Sequence, residues 1–331
     1  MLARQSRHLT YNCFYSFKLS PAIRSVAFKM PDTTKADPSP VLTLPSGRSH
    51  PLFLYGTAWK ADKTTPLVQA ALSHGFTGID TACQPKHYQE HLVGQGLFNY
   101  LQENSIVDRS SLYIQTKYTP PNGQDPSNTP YDATAPLSAQ VKQSVETSLK
   151  NLNVDYIDSV LLHSPLQTLE DTIKAWKSLE QFVPHKVRHL GISNCGFPIL
   201  SALYSSPAIN VRPSIVQNRF HEATGYDTQV LAFCKEHGLV YQSFWTLTAN
   251  PGLLRSKLVN GFAEVRGWTK EQALYALVLS LGREWENGGG VSIMNGTTNE
   301  ETMKSDLKVL EGMGGVPDGI VEEFVKLLRA Q

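Results

Sequence analysis

The chain has 331 residues, a net charge of +1 and 41% hydrophobic residues, which suits one large globular domain or two ordinary ones. The near-zero charge gives no global attraction to nucleic acid or to an anionic membrane surface, and no apolar run approaches the roughly 20 residues of a membrane helix. The four cysteines, Cys13, Cys83, Cys195 and Cys234, form no C-x-x-C pair, so neither a disulfide framework nor a zinc site is indicated and a reducing compartment, the cytoplasm, is expected.

The first stretch stands apart. It carries Arg4, Arg7, Lys18, Arg24 and Lys29, and the first acid is Asp32. Basic, serine-containing and acid-free describes a mitochondrial transit peptide. The plainer alternative is a start at Met30, with a disordered extension upstream. Residues 1–38 are therefore set aside, and a single folded domain is expected over 39–331.

Two short apolar runs around Pro45-Ser46-Gly47 read as a β-hairpin leading into a strand, "LFLYG". From there the chain alternates. Helix-like "TTPLVQAALSHG" precedes strand-like "FTGID". "YQEHLVGQGLFNYLQEN" precedes "LYIQTK", "SAQVKQSVETSLKNLN" precedes "YIDSVLLH", and "LEDTIKAWKSLEQFV" precedes "VRHLGISN". "FPILSALYS" precedes "SIVQNRF", "DTQVLAFCKEHG" precedes "LVYQSFW", and "TKEQALYALVLSLG" precedes "GGVSIMN". Two more helix-like segments, "NEETMKSDLKVL" and "VEEFVKLLR", close the chain. Helix and strand alternating at this spacing imply parallel strands with crossovers. Eight such units match an α/β fold of the (β/α)₈ barrel type. The rival, an open doubly wound sheet, would carry G-x-G-x-x-G between its first strand and helix, and that signature is absent.

In such a barrel the active site gathers at the C-terminal ends of the strands. The residues closing the apolar runs are Asp80, Lys117, His163, Ser193-Asn194, Gln217-Asn218, Phe244-Trp245 and Asn295. Each alone has a plain structural explanation, since a strand often ends in a polar residue where it meets water. Together they would place an acid, an amine, an imidazole and several amides in one pocket. No metal-ligand cluster, nucleophile elbow or Walker loop is present. A lysine beside an acid serves equally as a Schiff-base former or as a charge that shifts a neighbour's pKa, and residue chemistry alone leaves that choice open.

The ordered motifs "GTAWK", "GFTGIDTA", "YIQTK", "DYIDSVLLHSP", "LGISN", "SIVQNRF", "LVYQSFWTLTAN" and "GTTNEETMKSDL" resemble those of the aldo-keto reductase family. The likeness runs from about Val41 to the last helix. It implies a catalytic tetrad of Asp80, Lys117, His163 and a tyrosine. The tyrosine usually stands five residues after the aspartate, where this chain has Pro85; Tyr88 is the tyrosine available, reached by a longer turn through "QPKHY". The resemblance further implies carbonyl reduction by hydride transfer. Tyr88 would be the proton donor, Lys117 would lower its pKa, Asp80 would hold the lysine, and His163 would orient the carbonyl oxygen.

For the cofactor, the resemblance assigns Ser193, Asn194 and Gln217 to the carboxamide and Phe244 to stacking on the nicotinamide. Leu247, Thr248 and Asn250 fall to the pyrophosphate, and Asn295, Gly296, Thr297, Thr298, Glu301, Lys304 and Ser305 to the adenosine end. The family's Lys-Ser and Arg that receive a 2′-phosphate are replaced by Asn295-Gly296 and Glu301. NADP(H) is the family expectation, with NAD(H) or dual use allowed by those losses. Trp59, His163, Trp245 and the loop 118–136 are expected to wall the substrate pocket. The expected ligand is a small carbonyl compound, with no nucleic acid, membrane or metal partner, and the chain is expected as a monomer or weak homodimer. The alternative in another class is a non-catalytic, cofactor-binding member acting through a protein partner.

Overall fold

A computed structural model describes residues 41–283 and 285–330; the extension read over 1–38 lies outside the described residues. The hairpin forms where the Pro-Ser-Gly turn predicts it, from β1 (Val41–Thr43) and β2 (Ser49–Pro51) paired antiparallel. Eight parallel strands then close on themselves. They are β3 (Phe53–Gly56), β4 (Gly78–Asp80), β5 (Tyr113–Tyr118), β6 (Ile157–Leu162), β7 (Val187–Ser193), β8 (Ile215–Arg219), β9 (Val240–Phe244) and β10 (Gly290–Asn295). β10 pairs with β3 to shut the barrel.

The crossovers are α1 (Thr64–Ser73), α2 (Glu90–Glu103), α3 (Leu137–Leu152), α4 (Leu169–Glu180), α5 (Phe197–Ser205) and α6 (Thr228–His237). Two short helices, α7 (Pro251–Arg255) and α8 (Lys257–Arg266), precede α9 (Lys270–Ser280). The chain ends in α10 (Glu300–Leu307), α11 (Val309–Gly312) and α12 (Asp318–Arg329). The sequence reading left 251–266 unassigned, although its stop and start signals are there. Pro251 opens α7, the Ser256 side chain accepts from Val259 N to cap α8, and Gly267 at φ 64° ends it.

Strands covered on both faces read as continuous apolar runs, and every residue of β6 is buried. The inward face alternates with period two and builds the interior in layers. At the floor, capped by the hairpin, Leu44, Leu54, Tyr113, Leu161, Ile215 and Val240 pack together. Two residues further along β5, β8 and β9 the lining turns polar: Gln115 follows Tyr113, Gln217 follows Ile215, and Gln242 follows Val240. Two further still stand Lys117, Arg219 and Phe244 at the mouth.

That middle layer is a buried amide network. Gln115 Nε2 donates to Gln242 Oε1 and Gln242 Nε2 returns a bond to Gln115 Oε1, each 2.8 Å. Gln217 Nε2 donates to Gln242 Oε1 (2.8 Å), Ser159 Oγ to Gln115 Oε1 (2.8 Å), and His50 Nε2 lies 2.9 Å from Gln242 Nε2. Burial holds His50 at a pKa of about 3, so its imidazole accepts. A buried polar layer is tolerable only when its members find partners, and these amides do.

Candidate active site

Asp80 closes β4, and its carboxylate collects donors from two other strands, β5 and β8. Lys117 Nζ from β5 donates to both oxygens at 2.6 Å and to the Thr81 carbonyl at 2.9 Å. Gln115 Nε2 (2.7 Å) and Gln217 Nε2 (3.1 Å) also donate to Oδ1. The lysine and the acid are both buried. Burial pulls the Lys117 amine below its ordinary value, and the Asp80 charge works against that pull.

The turn after β4 delivers Tyr88. Thr81 N and Cys83 N continue the ladder onto β5, bonding Gln115 O (2.9 Å) and Lys117 O (3.1 Å). His87 N and Tyr88 N then bond back to Gln84 O, and Trp59 N donates to His87 O (2.8 Å). The Tyr88 ring meets His163 edge-on with centroids 6.0 Å apart, and Lys117 Nζ lies 5.5 Å from the ring centroid. Asp80, Tyr88, Lys117 and His163 therefore share one end of the barrel.

Burial first, and the Asp80 charge second, push the Tyr88 phenol above its ordinary value of 10. This reverses the expectation that Lys117 lowers it. Burial of the phenol, the larger effect, and the carboxylate that pairs with the ammonium at 2.6 Å outweigh that cation. His163 is held at about 3, by burial and then by the Lys117 charge, and its Nδ1 lies 2.6 Å from Thr119 Oγ1. At neutral pH the phenol is protonated and the imidazole neutral, and both stand beside the Lys117–Asp80 salt bridge.

Cys83 is buried, and burial pushes its thiol up with help from the Glu90 charge. Glu90 opens α2 and accepts from Thr116 Oγ1 at 2.5 Å and Asn151 Nδ2 at 3.2 Å, tying that helix to β5 and α3. Among the described residues no group of three or more His, Cys, Asp or Glu side chains is placed to hold a metal, and no helix is long and apolar enough to cross a membrane.

Above these residues lies a cavity of about 750 Å³, within the usual range for a small-molecule site. Of the residues assigned from sequence, Trp59, Asp80, Tyr88, His163, Ser193, Asn194, Gln217, Phe244, Trp245, Leu247, Thr248, Asn295, Gly296 and Thr297 line it. Asn250 does not: its Nδ2 is spent on the Phe220 and Thr246 carbonyls (2.6 and 2.9 Å). Thr298, Glu301 and Lys304 are exposed outside the wall, and Ser305 accepts from Gln272. The loop 118–136 is likewise absent from this wall. Tyr131 Oη bonds Thr119 O (2.6 Å) and Gln124 Nε2 bonds Cys83 O (2.9 Å), pinning the loop beside the turn. It lines a smaller adjoining cavity with His163 and Ser164.

The sequence missed several lining residues, among them Lys60, His87, Arg219, Tyr275, Thr302 and Asp306. Lys60 follows Trp59 and donates to the Gly296 carbonyl. Asp306 is buried and accepts from Asn295 Nδ2 at 2.7 Å, while Asn295 Oδ1 accepts from Thr297 N. Only the inward turn of α10 could have flagged Asp306, as an acid at a position where that helix packs inward.

The amides fit a nicotinamide. Gln217 Nε2 is committed to Asp80 and Gln242, and Asn194 Nδ2 to the His163 carbonyl (2.9 Å) and Ser193 Oγ (3.2 Å). Each is left presenting its carbonyl oxygen, and a carboxamide NH₂ needs two acceptors. Phe244 lines the same wall with its ring.

The aldo/keto reductase family model matches residues 52–294. The chain belongs to that family. Aldehyde reductase YPR1 of Saccharomyces cerevisiae is 27% identical over 310 residues, 85% of this chain and 89% of the relative. Methylglyoxal reductase DkgB of Escherichia coli O157:H7 is 28% identical over 264 residues, 78% of this chain and 86% of its own. Among solved structures, the Bombyx mori aldo-keto reductase AKR2E4 in complex with NADP superposes with a TM-score of 0.70 at 20% identity, covering 89% of this chain and 93% of that one. An aldo/keto reductase from Brucella melitensis gives 0.69 at 19% identity, with 88% and 100% covered. The barrel and its hairpin are those of the family, and this aldo/keto reductase is an NAD(P)H-dependent oxidoreductase.

Asp306 also makes a stability prediction. Burial pushes its carboxyl up to about 6; the Asn295 hydrogen bond opposes this and the Glu271 charge adds to it. Between about pH 4, the unfolded value, and pH 6 the folded state keeps a proton that the unfolded chain has lost. Stability contributed there falls as pH rises through that window. Asp306→Asn retains an acceptor for Asn295, so it is expected to be more stable than the parent at pH 8 by about 1–2 kcal/mol, a range reduced for screening at a cavity wall. The gap should close at pH 4, and urea unfolding at both pH values checks it.

Proposed function

We propose that this aldo/keto reductase reduces an aldehyde or ketone to the alcohol, with Tyr88 as proton donor. The observation that carries this is the placement of a protonated phenol against a neutral imidazole and a buried Lys117–Asp80 pair, beside two outward-facing amide acceptors. When bound, the reduced nicotinamide supplies the hydride.

The residues do the rest. Gln217 Oε1 and Asn194 Oδ1 orient the carboxamide, and Phe244 covers the ring. Tyr88 Oη donates its proton to the carbonyl oxygen as negative charge develops there. His163, with Nδ1 engaged by Thr119, keeps Nε2 for the same oxygen and fixes the carbonyl's direction. Lys117 stands beside the phenolate left behind, and Asp80 holds it there. The names of the yeast and bacterial relatives, an aldehyde reductase and a methylglyoxal reductase, support small carbonyl compounds as the substrate class. The test follows nicotinamide absorbance with a panel of aldehydes and ketones, run separately with NADPH and NADH. Absence of turnover across the panel with both would overturn the assignment.

The NADP complex of the silkworm relative supports NADP(H) here, and Lys60 is a cation on the cavity wall. Asp306, at 2.7 Å from Asn295, is an acid on the same wall. Asn295→Lys alone would pair its new cation with Asp306, whereas Asn295→Lys with Asp306→Asn leaves that charge for a 2′-phosphate. The double variant is expected to raise the NADPH-to-NADH affinity ratio about tenfold, against a much smaller change for the single one. Fluorescence titration with each dinucleotide measures it.

A further inference from the structure

We propose that the carbonyl substrate also carries an anionic group, a carboxylate in the simplest case, and that Arg219 with Trp245 forms the subsite that holds it. This rests on the carbonyl-reduction assignment above. Ile215, Gln217 and Arg219 lie on one face of β8, because strand side chains alternate. Gln217 reaches Asp80, so Arg219, one pleat nearer the strand's end, stands over the mouth of the reacting end. Its Cα partner across the ladder is Phe244.

The guanidinium lies 4.3 Å from the Trp245 ring centroid and 5.9 Å from that of Phe244. Stacking fixes the plane of the fork and leaves its N–H edge for an incoming acceptor. Among the described residues no carboxylate lies within ion-pair distance of it. The other groups at this end are already balanced. Asp80 is matched by Lys117, Tyr88 and His163 are neutral, and burial lowers His87. Lys60 is engaged by the Gly296 carbonyl and Asp306 by Asn295. Arg219 is thus a cation of the cavity wall with no carboxylate partner among the described residues.

The rim is built to present aromatic surface. Trp59 and Trp245 hold φ of 62° and 58°, a left-handed backbone that bulky residues rarely adopt, and they are 72% and 53% exposed. Trp59 overlies His87 with centroids 3.7 Å apart. Two indoles held outward at a backbone cost, one backed by an imidazole and one by a guanidinium, contribute little to the core. They suit contact with a flat, charged guest in the cavity that both line.

A dinucleotide's phosphates offer the same anionic chemistry, so the experiment separates the two sources. The probes are 4-formylbenzoate and its methyl ester, which differ in charge at the same distance from the aldehyde. The parent should show kcat/KM for the carboxylate at least about tenfold above the ester, the scale of one charge-assisted hydrogen bond. Arg219→Leu should bring that ratio to about one, and Arg219→Lys should restore part of it, since lysine supplies charge without the fork. An unchanged ratio in Arg219→Leu overturns the proposal. So does a ratio that holds while the Kd for NADPH, read by fluorescence quenching, rises, because the cation would then serve the cofactor's phosphates. If the parent reduces neither aldehyde nor any other carbonyl, the carbonyl-reduction assignment itself fails.

Discussion

Tyr88→Phe is expected to lower kcat for carbonyl reduction by about 10²–10⁴-fold, the span that a positioned general acid supplies. The substitution removes one oxygen and little else. The ring keeps its edge against His163 and its place 5.5 Å from Lys117 Nζ, and the turn is closed by backbone bonds to Gln84 and from Trp59. No neighbour can take over the proton. His163, at about 3, is neutral and its N–H is a far weaker acid than a phenol. Cys83 is buried with its thiol pushed up and sits among α2 and α3 contacts. Because the acceptors proposed for the carboxamide are Gln217 and Asn194, binding of the dinucleotide should stay within about twofold of the parent, a change worth under 1 kcal/mol. Stopped-flow reduction and fluorescence titration measure the two separately. Near-parental turnover in Tyr88→Phe would remove Tyr88 from the chemistry.

The strand ends were legible because each apolar run stops at a definite residue and the barrel geometry brings those stops together. Asp80, His163, Ser193, Gln217 and Phe244 all emerged that way. Tyr88 needed the family resemblance, since nothing in "QPKHY" says which side chain turns inward. Arg219 was hidden for a different reason. It lies past the last apolar residue of β8 and reads as ordinary surface charge until Trp245, from the next strand's end, is found under it. Asp306 and Asn295 are 2.7 Å apart, yet in sequence one reads as a polar residue of a helix and the other as a strand end, with nothing to pair them. The direction of the Tyr88 shift failed for the same cause. Burial of the phenol and the Asp80 charge outweigh the cation, and both the depth of Tyr88 and the two contacts between Lys117 and Asp80 are visible only in three dimensions. Loop 118–136 was placed by length alone, and its buried anchors, Tyr131 and Gln124, carry it beside the turn rather than over the cavity.

Lys117→Met is expected to be the most destabilising change at the site, by about 3–5 kcal/mol, the cost of leaving one partner of a buried ion pair alone. Lys117 and Asp80 are buried and joined at 2.6 Å. Methionine fills most of the lysine stem's volume, so the loss is electrostatic more than steric. The Asp80 carboxylate would keep Gln115 and Gln217 as donors, which neutral amides do not match in strength. The double variant Asp80→Asn with Lys117→Met removes both charges and should recover most of the stability. The coupling in that cycle is the signature of a charge pair. Neither variant should recover turnover, because the ammonium that faces the Tyr88 phenolate is gone in both. Urea unfolding of the parent, both single variants and the double variant, with kcat measured on the same samples, tests the two claims together. A double variant no more stable than Lys117→Met would mean that packing around the stem, rather than the unpaired charge, sets the cost.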